Sequence, residues 1–353
     1  MTTDVDVAVI GAGIAGLTAT RALNQAGYRV VCIEARDRIG GRAVSQHVAG
    51  MTIDLGATWF WHNEQLIAKL TDQLQVDTFA QALAGDAMFE PPERPAQRLH
   101  GNPIDAPAMR LTNGAQGLAH ALARDLDATQ QLLNSPVTAI HHDRDSVTVQ
   151  TAEEAWTSRQ VIIALPPALA VASIEFSPGL PPEIAAAATS TAVWMGDMVK
   201  AVAVYEQPFW RAERLAGSAI SYRGPFREFH DHSGPAADGP GALFGFAPAQ
   251  ALPQANNDDI AAAFAHQLVR IFGSAAADPQ HVAVTNWATE RYTTPPRSVQ
   301  GGTGMGNRIF SQPTAQRIHW ASTETADAFA GHIEGAIRAG LTVAHNITKT
   351  NLS

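Results

Sequence analysis

The chain has 353 residues, of which 46% are hydrophobic and 16% charged, so it can bury one large core or two closely built ones. Its formal net charge of −9 and the absence of a basic run argue against a nucleic-acid partner. No apolar stretch approaches the roughly 20 residues of a membrane-spanning helix, and Asp4 and Asp6 interrupt any N-terminal signal peptide. Cys32 is the single cysteine, which excludes disulfides and cysteine-based metal sites. We therefore expect a cytoplasmic protein without a metal or a membrane anchor.

The first predicted elements form a β–α–β unit. Residues 5–10 have the apolar character of a buried strand, and residues 14–26 have helical spacing of apolar side chains. Gly27 is a typical helix C-cap, and residues 29–34 form the second strand. A right-handed crossover makes the two strands parallel.

The remaining pattern predicts alternating strands and helices without an internal repeat. Two segments rich in Gly and Pro, residues 84–107 and 229–242, are predicted to be irregular connections. The other predictions are strands at 50–55, 136–140, 146–151, 160–165, 199–205, 281–287 and 318–321, and helices at 64–74, 117–126, 258–272 and 333–347.

A glycine-rich turn, Gly11-Ala12-Gly13-Ile14-Ala15-Gly16, joins the first strand to the first helix. Gly11 permits the tight turn, Gly13 lets the backbone approach a pyrophosphate, and Gly16 lets helix and strand pack closely. The free N–H groups of the helix N-terminus suit an anion. Glu34 ends the second strand. An acid at this point accepts a hydrogen bond from a ribose hydroxyl and would repel the 2′-phosphate of NADP. The motif predicts a dinucleotide site; a glycine-rich turn without a ligand is the alternative.

The segment after Glu34 distinguishes FAD from NAD. It reads Ala35-Arg36-Asp37-Arg38-Ile39-Gly40-Gly41-Arg42, and here the chain resembles the flavin-containing amine oxidase family. In that family this segment wraps the cofactor, and its last arginine approaches the phosphates and the flavin. Arg42 has the forked, permanently charged donors for such a role, whereas Arg38 is interpreted as part of a solvated charged turn.

Other segments extend the resemblance along most of the chain. Residues 54–59 (DLGATW), 111–118 (LTNGAQGL), 164–167 (ALPP) and 320–325 (WASTET) resemble family segments around the cofactor, with Ser322 at a usual glycine position, and Pro136-Val137 lies where the family places backbone against the adenine. The implied cofactor-binding residues are Gly11, Gly13, Ile14, Ala15, Gly16, Glu34, Ala35, Arg36, Gly41, Arg42, Gly56, Ala57, Thr58, Val137, Ala164, Trp287, Glu324 and Ile333.

The resemblance also implies the architecture. The expected fold is α/β: a Rossmann-like FAD-binding domain with a parallel sheet, and a smaller α+β substrate domain inserted discontinuously. The FAD-binding domain would comprise residues 1–75, 114–175 and 284–353, and the substrate domain residues 76–113 and 176–283. Family members carry a longer helical part between the positions of Val76 and Leu111, so we expect a more open substrate site here. Trp59, Phe60 and Trp61 would either wall that site or fill the core.

Three residues are candidates for catalysis. Lys200 interrupts an apolar strand; from the residues alone it could be an edge-strand lysine whose amine reaches water. The resemblance matches it with a family lysine that holds a water beside flavin N5 and implies a role in reoxidation by oxygen. Trp287 matches a tryptophan that packs against the flavin, although it could equally fill the core. The third candidate is His332, for which the start of a helix is the structural alternative.

Two departures from the family pattern bear on cofactor and substrate. Thr293-Thr294-Pro295-Pro296 replaces the segment that carries a cysteine in members with covalent flavin, so FAD is expected to be non-covalent. Arg297 and His332 occupy the positions of two tyrosines that form an amine cage in monoamine oxidases. An arginine there would repel a cationic amine and could attract a carboxylate or phosphate.

The leading hypothesis is an FAD-dependent oxidase that converts an amine to an imine, with O2 as acceptor and H2O2 as product. One alternative is a renalase-like flavoprotein that acts on nicotinamide compounds, and another is a flavin-dependent dehydrogenase with a different acceptor. A third hypothesis is a flavin-binding protein with a structural or sensing role, because a fold does not dictate a function.

Overall fold

The computed structural model describes residues 2–127, 130–236, 238–295 and 304–350. Up to residue 177 the elements are β1 Thr2–Ile10, α1 Ile14–Gln25, β2 Val30–Ile33, β3 Ser45–Val48, β4 Met51–Asp54, β5 Trp59–Phe60, α2 Gln65–Leu74, β6 Thr78–Ala80, β7 Asp86–Glu90, β8 Gln97–Leu99, β9 Met109–Leu111, α3 Gly114–Ala123, β10 Gln131–Leu132, β11 Ala139–His142, β12 Val147–Gln150, β13 Ala155–Ile163, α4 Pro167–Ser173 and β14 Glu175–Ser177.

The second half contains fewer and longer elements. They are α5 Pro182–Ser190, β15 Met198–Tyr205, α6 Phe209–Ala212, β16 Leu215–Ser221, β17 Glu228–Asp231, β18 Gly241–Pro248, α7 Asn257–Phe272, β19 His281–Asn286, β20 Ile318–Trp320 and α8 Ile333–Thr350, with short 3₁₀ turns at Ala249–Ala251, Ser274–Ala276, Trp287–Thr289, Arg308–Ser311 and Thr323–Thr325.

The first large sheet carries the β–α–β unit. Its strand order is β10-β2-β1-β13-β12-β11-β14, and β20 pairs in parallel with β13. β1 lies between β2 and β13, parallel to both, and all four residues of β2 are buried. Helices α1 and α8 pack against one another on this sheet, where Gly340 approaches the backbone of Ala15 closely. The α/β, Rossmann-like class predicted from the sequence is confirmed.

The second large sheet has the order β19-β15-β18-β17-β16-β7-β8. β15, which contains Lys200, lies between β18 and β19 and is antiparallel to both. One face of this sheet packs on α7 through an aromatic cluster that includes Phe226, Phe229 and Phe264. The amphipathic α7 is fixed at its start by Asn256, whose side chain accepts hydrogen bonds from the N–H groups of Asp258 and Asp259.

Two predicted loops are wrong in part. The segment 84–107 contains β7 and β8, and the segment 229–242 contains most of β17. β7 pairs in parallel with β16, which lies more than a hundred residues later in the chain. These strands are short and are stabilised by non-local pairing, so their local residue pattern carries little signal.

The predicted domain boundaries stay a prediction. β7 and β8 belong to the second sheet, whereas β9 pairs with β5 and β6 in a separate three-stranded sheet. β19 spans the boundary predicted at residue 284 and pairs with β15.

In the described part of the chain, no helix is long and apolar enough to cross a membrane, and no cluster of His, Cys, Asp and Glu could hold a metal ion.

Candidate active site

A cavity of about 780 Å³ is lined by residues of the second large sheet and by residues that directly follow strands of the first. The structure brings most of the predicted site residues to its wall: Gly11, Gly13, Ile14, Ala15, Glu34, Arg36, Gly41, Arg42, Gly56, Ala57, Thr58, Ala164, Trp287, His332 and Ile333. Five others do not line it: Gly16, Ala35, Val137, Lys200 and Glu324. Of these, Lys200 and Glu324 contact residues that do.

The glycine-rich turn leaves room for a ligand at one glycine and none at another. A Cβ on Gly13 would meet no atom closer than 4.0 Å, whereas a Cβ on Gly16 would lie 1.9 Å from the carbonyl oxygen of Gly11. No side chain caps the N-terminus of α1, and Ile14 and Ala15 of its first turn line the cavity. An open backbone surface beside uncapped N–H groups fits the pyrophosphate of a dinucleotide.

Glu34 is buried at the end of β2 and lines the cavity. Its carboxylate accepts hydrogen bonds from the N–H groups of Ala12 (2.8 Å) and Arg36 (2.9 Å). A carboxylate has about four acceptor positions, so lone pairs remain for a ribose hydroxyl. The Arg36 guanidinium donates to the Tyr292 carbonyl and the Thr293 hydroxyl, which holds that loop at the same end of the cavity.

Arg42 lines the cavity while its guanidinium forms a two-pronged ion pair with Glu324, at 2.6 and 3.0 Å. Burial alone would raise the pKa of the Glu324 carboxyl, but the charge of Arg42 and the hydrogen bonds that the carboxylate accepts lower it. Arg42 also donates to the Trp194 carbonyl, so the pair joins three segments of the cavity wall.

The expectation of a solvated Arg38 is wrong: this side chain is half-buried and donates to the carbonyls of Ile39 and Gly41.

Lys200 is fully buried on β15, an interior strand of the second sheet, so the edge-strand alternative is wrong. Its amine donates to the Gly56 carbonyl (3.0 Å) and the Thr58 hydroxyl (2.6 Å), both in the segment that lines the cavity. The amine also lies 4.3 Å from the centre of the Phe244 ring. Burial lowers the pKa of Lys200 to about 7; the charge of Asp54 opposes this shift and that of Arg110 adds to it.

The lowered pKa predicts a pH-dependent stability. Between about pH 7 and the ordinary lysine value near 10.4, the unfolded chain binds a proton that the folded chain has lost. The free energy of unfolding of the wild type should therefore rise with pH relative to that of Lys200→Met, by at most about 1.4 kcal/mol per pH unit. Urea unfolding across this range measures it, with Lys69→Met as an exposed control. Parallel curves for the wild type and Lys200→Met would contradict the shift.

Trp287 is both a core side chain and a residue of the cavity wall, and its packing against a flavin stays a prediction. It is 2% exposed, its indole N–H donates to the Leu55 carbonyl at 3.1 Å, and it lines the cavity. A Cβ on Gly56 would lie 1.8 Å from the Arg42 carbonyl oxygen and 3.2 Å from the Trp287 ring, so no side chain fits at this position. The ring therefore fills the core and helps to fix the segment 55–58 at the same time.

A buried polar cluster beneath this segment was not predicted from the sequence. The N–H group of Asp54 donates to His232 Nε2 at 2.8 Å, and the Asp54 carboxylate accepts from Ser45 and from the N–H group of Ala115. Arg110 donates to the carbonyls of His232 and Ser233. Burial raises the pKa of Asp54 and is the largest cause of the strongly lowered pKa of His232.

His332 immediately precedes α8 and lines the cavity, so it does lie at a helix start. Its Nδ1 atom lies 2.7 Å from a carboxylate oxygen of Glu64, which is 1% exposed. The other Glu64 oxygen accepts from the N–H group of Trp61, whose ring centroid is 5.3 Å from that of His332. Glu64 was missed because it looks like an ordinary charged residue at the start of α2.

The aromatic residues 59–61 were expected either to line the site or to fill the core, and the structure shows both. Trp59 and Trp61 line the cavity, whereas Phe60 is buried in the core of the first sheet. Further lining residues that the sequence did not single out include Trp194, Arg227, Glu228 and Phe246. Arg227 immediately precedes β17, Glu228 begins β17 and Phe246 lies in β18. The sequence pattern gave no indication of a site in these elements.

The segment without cysteine lies beside the cavity. Tyr292 and Thr293 line it, while Pro296 and Arg297 lie outside the described residues, so the prediction for Arg297 stays untested. Cys32 is buried in β2, and burial raises the pKa of its thiol to about 12. Such a thiol is unreactive.

Two family models match the chain. Residues 97–348 match the flavin containing amine oxidoreductase family, and residues 9–74 match an NAD(P)-binding Rossmann-like domain. A Mycobacterium tuberculosis protein named as a flavin-containing monoamine oxidase, AofH, is 28% identical, with 95% of each chain covered. That alignment runs over 436 positions, so the relative carries residues that this 353-residue chain lacks. The human flavin-containing amine oxidase B is 25% identical over 98% of this chain and 86% of its own.

Solved structures show the same fold. A putrescine oxidase bound to putrescine is 22% identical with a TM-score of 0.87, and cyclohexylamine oxidase from Brevibacterium oxydans IH-35A is 21% identical with a TM-score of 0.88. Each comparison covers 99% of this chain, and the putrescine oxidase chain is covered completely. Because the first family model spans more than half of the sequence, the chain belongs to the flavin containing amine oxidoreductases.

Proposed function

We propose that the protein is an FAD-dependent oxidoreductase that oxidises the C–N bond of a small-molecule amine. Bound FAD would supply the hydride acceptor, N5, and would return the electrons to O2 as H2O2, leaving an imine that water hydrolyses. Family membership supports a flavin enzyme, and the names of the relatives and structural neighbours favour an amine as substrate. A cytoplasmic location and the predicted domain division belong to the same proposal.

One observation carries the proposal. The glycine-rich turn and the Gly56–Thr58 segment line one cavity, and the buried amine of Lys200 is bonded to the second of these. The glycine-rich turn suits the ADP part of FAD. The Gly56–Thr58 segment has the titratable Lys200 amine immediately behind it. We assign Gly11–Gly16 and Glu34 to the ADP moiety, with Arg36 supporting the Glu34 end.

The roles of the remaining residues follow from their contacts. Trp287 and the segment 56–58 would form the surface against which the isoalloxazine packs, with Lys200 beneath it. Ile333 begins α8 and lines the cavity, so the positive end of this helix would stabilise negative charge on the reduced cofactor. Ala35, Val137 and Glu324 do not line the cavity and would support residues that do. Glu324 would do so by holding the Arg42 guanidinium.

Non-covalent FAD is the first expected result. The protein, purified or reconstituted with FAD, should release its yellow cofactor into the supernatant on acid precipitation, because the only cysteine is buried in β2. Flavin that stays with the pellet would contradict the non-covalent assignment, and a protein that takes up no FAD would contradict the cofactor itself.

Substrate and acceptor are tested together by an amine screen. Cyclohexylamine, putrescine and benzylamine are added without oxygen, and bleaching of the flavin absorbance is followed; oxygen is then admitted and H2O2 measured. Bleaching by an amine with peroxide release supports the proposal. Bleaching by an amine without peroxide favours a dehydrogenase, and bleaching by NADH or its isomers alone favours a renalase-like activity.

A further inference from the structure

A carboxylate–histidine pair faces the cavity next to the start of α8. Glu64 is 1% exposed, and its Oε1 atom lies 2.7 Å from His332 Nδ1. The Glu64 carboxylate is itself held by the N–H group of Trp61 at 2.7 Å. A buried carboxylate this close favours the histidine tautomer that carries its hydrogen on Nδ1, which leaves the lone pair on Nε2.

The other ring nitrogen of His332 is available to a ligand. Among the described residues, Nε2 has no hydrogen-bond partner, and the side chain is 36% exposed and lines the cavity. The Trp61 ring lies against one side of the imidazole. The imidazole is therefore fixed by one nitrogen and presents the other as an acceptor toward the cavity and water.

Neighbouring charges are engaged elsewhere. Glu334 of α8 accepts hydrogen bonds from the N–H groups of Leu66 and Ile67 at the start of α2. Arg338 forms ion pairs with Glu334 and Asp327. Glu64 is thus the carboxylate that directly contacts His332 and orients its ring.

We propose that His332, oriented by Glu64, accepts the proton of the substrate ammonium. The inference rests on the proposed amine oxidation. An amine enters the cavity as its ammonium ion and cannot give up a hydride from the α-carbon until its nitrogen carries a lone pair. The N–H bond breaks, its electrons stay on nitrogen, and the proton moves to His332 Nε2. The imidazolium then releases the proton to water at the exposed side of the ring.

Two variants separate this role from a purely structural one. His332→Asn retains a donor for Glu64 but has no basic nitrogen, and Glu64→Gln keeps an acceptor for Trp61 but removes the charge. His120→Asn is the control, since His120 is exposed on α3 and does not line this cavity. Each variant is loaded with FAD, and the rate of flavin reduction by cyclohexylamine is measured anaerobically by stopped flow from pH 6 to 10.

At pH 7 His332→Asn should reduce its flavin about 10²-fold more slowly than the wild type, the low end for a positioned proton acceptor. The difference should vanish toward pH 10, where a primary amine, with a lysine-like pKa near 10.4, loses its proton without help. Glu64→Gln should show a smaller loss with the same convergence, and His120→Asn none. A loss that is equal at every pH, or no loss, would overturn the proposal.

A second readout does not depend on turnover. Diethyl pyrocarbonate modifies the unprotonated nitrogen of accessible histidines, and tert-butylamine cannot be oxidised because its α-carbon carries no hydrogen. In the FAD-loaded wild type this amine should slow modification of His332, mapped by peptide mass, and leave that of His120 unchanged. Equal rates at His332 with and without the amine would contradict binding there. A wild-type flavin that no amine reduces at any pH would instead overturn the proposed function, and the proton-acceptor role with it.

Discussion

Lys200→Met should slow reoxidation of the reduced flavin by O2 about 10²-fold, the low end for a group that assists proton transfer. The variant keeps the side-chain length and removes the amine that contacts both Gly56 and Thr58. Bound FAD should be retained, because Lys200 does not line the cavity and the residues proposed to hold the ADP moiety lie elsewhere. Stopped-flow mixing of the anaerobically reduced protein with oxygenated buffer measures the rate.

The control for this experiment must distinguish a direct effect of losing the Lys200 amine from an effect of damage to the fold. Lys69→Met removes the same charge from an exposed position on α2 and should leave the rate unchanged. Loss of the amine leaves the Gly56 carbonyl and the Thr58 hydroxyl short of a donor, a cost of about 1–3 kcal/mol, so the melting temperature should be checked for both variants. Normal reoxidation in a folded, FAD-loaded Lys200→Met would show that the amine is structural and would favour a dehydrogenase.

Gly16→Ala should weaken FAD binding by about tenfold or more. The added methyl group would lie 1.9 Å from the Gly11 carbonyl oxygen and 3.1 Å from the Ala164 side chain. Backbone cannot overlap at that distance, so the turn and the first turn of α1 must separate, and overpacking of this kind costs about 1–3 kcal/mol. A loss of 1.4 kcal/mol corresponds to a factor of ten in affinity. FAD titration followed by flavin fluorescence measures the change.

Gly179→Ala is the matched control for that substitution. A Cβ at this position meets no atom within 4 Å, and Gly179 does not line the cavity. The control should bind FAD like the wild type. If Gly16→Ala also binds FAD normally while its melting temperature is unchanged, the close approach of α1 to the turn is not what holds the pyrophosphate site.

The sequence was sufficient for the part of the site that one continuous segment builds. The glycine-rich turn, α1 and the acid at the end of β2 all lie within residues 5–34, and a β–α–β unit imposes their geometry through short connections. The predicted crossover, the helix that ends before Gly27 and the position of Glu34 on the cavity wall all appear in the structure. Family resemblance added the segment 54–59, whose residues 56–59 line the same cavity.

The tertiary structure decided what depends on partners that are distant in sequence. The Arg42–Glu324 and Glu64–His332 pairs each join residues more than 260 positions apart. β7 became a strand by pairing with β16. The Lys200 amine is shielded from water because the segment that contains Gly56 and Thr58 covers it. Local periodicity records which face of an element is apolar, but not which element covers that face. Burial, ion pairing and the resulting pKa shifts arise only when the covering element is in place.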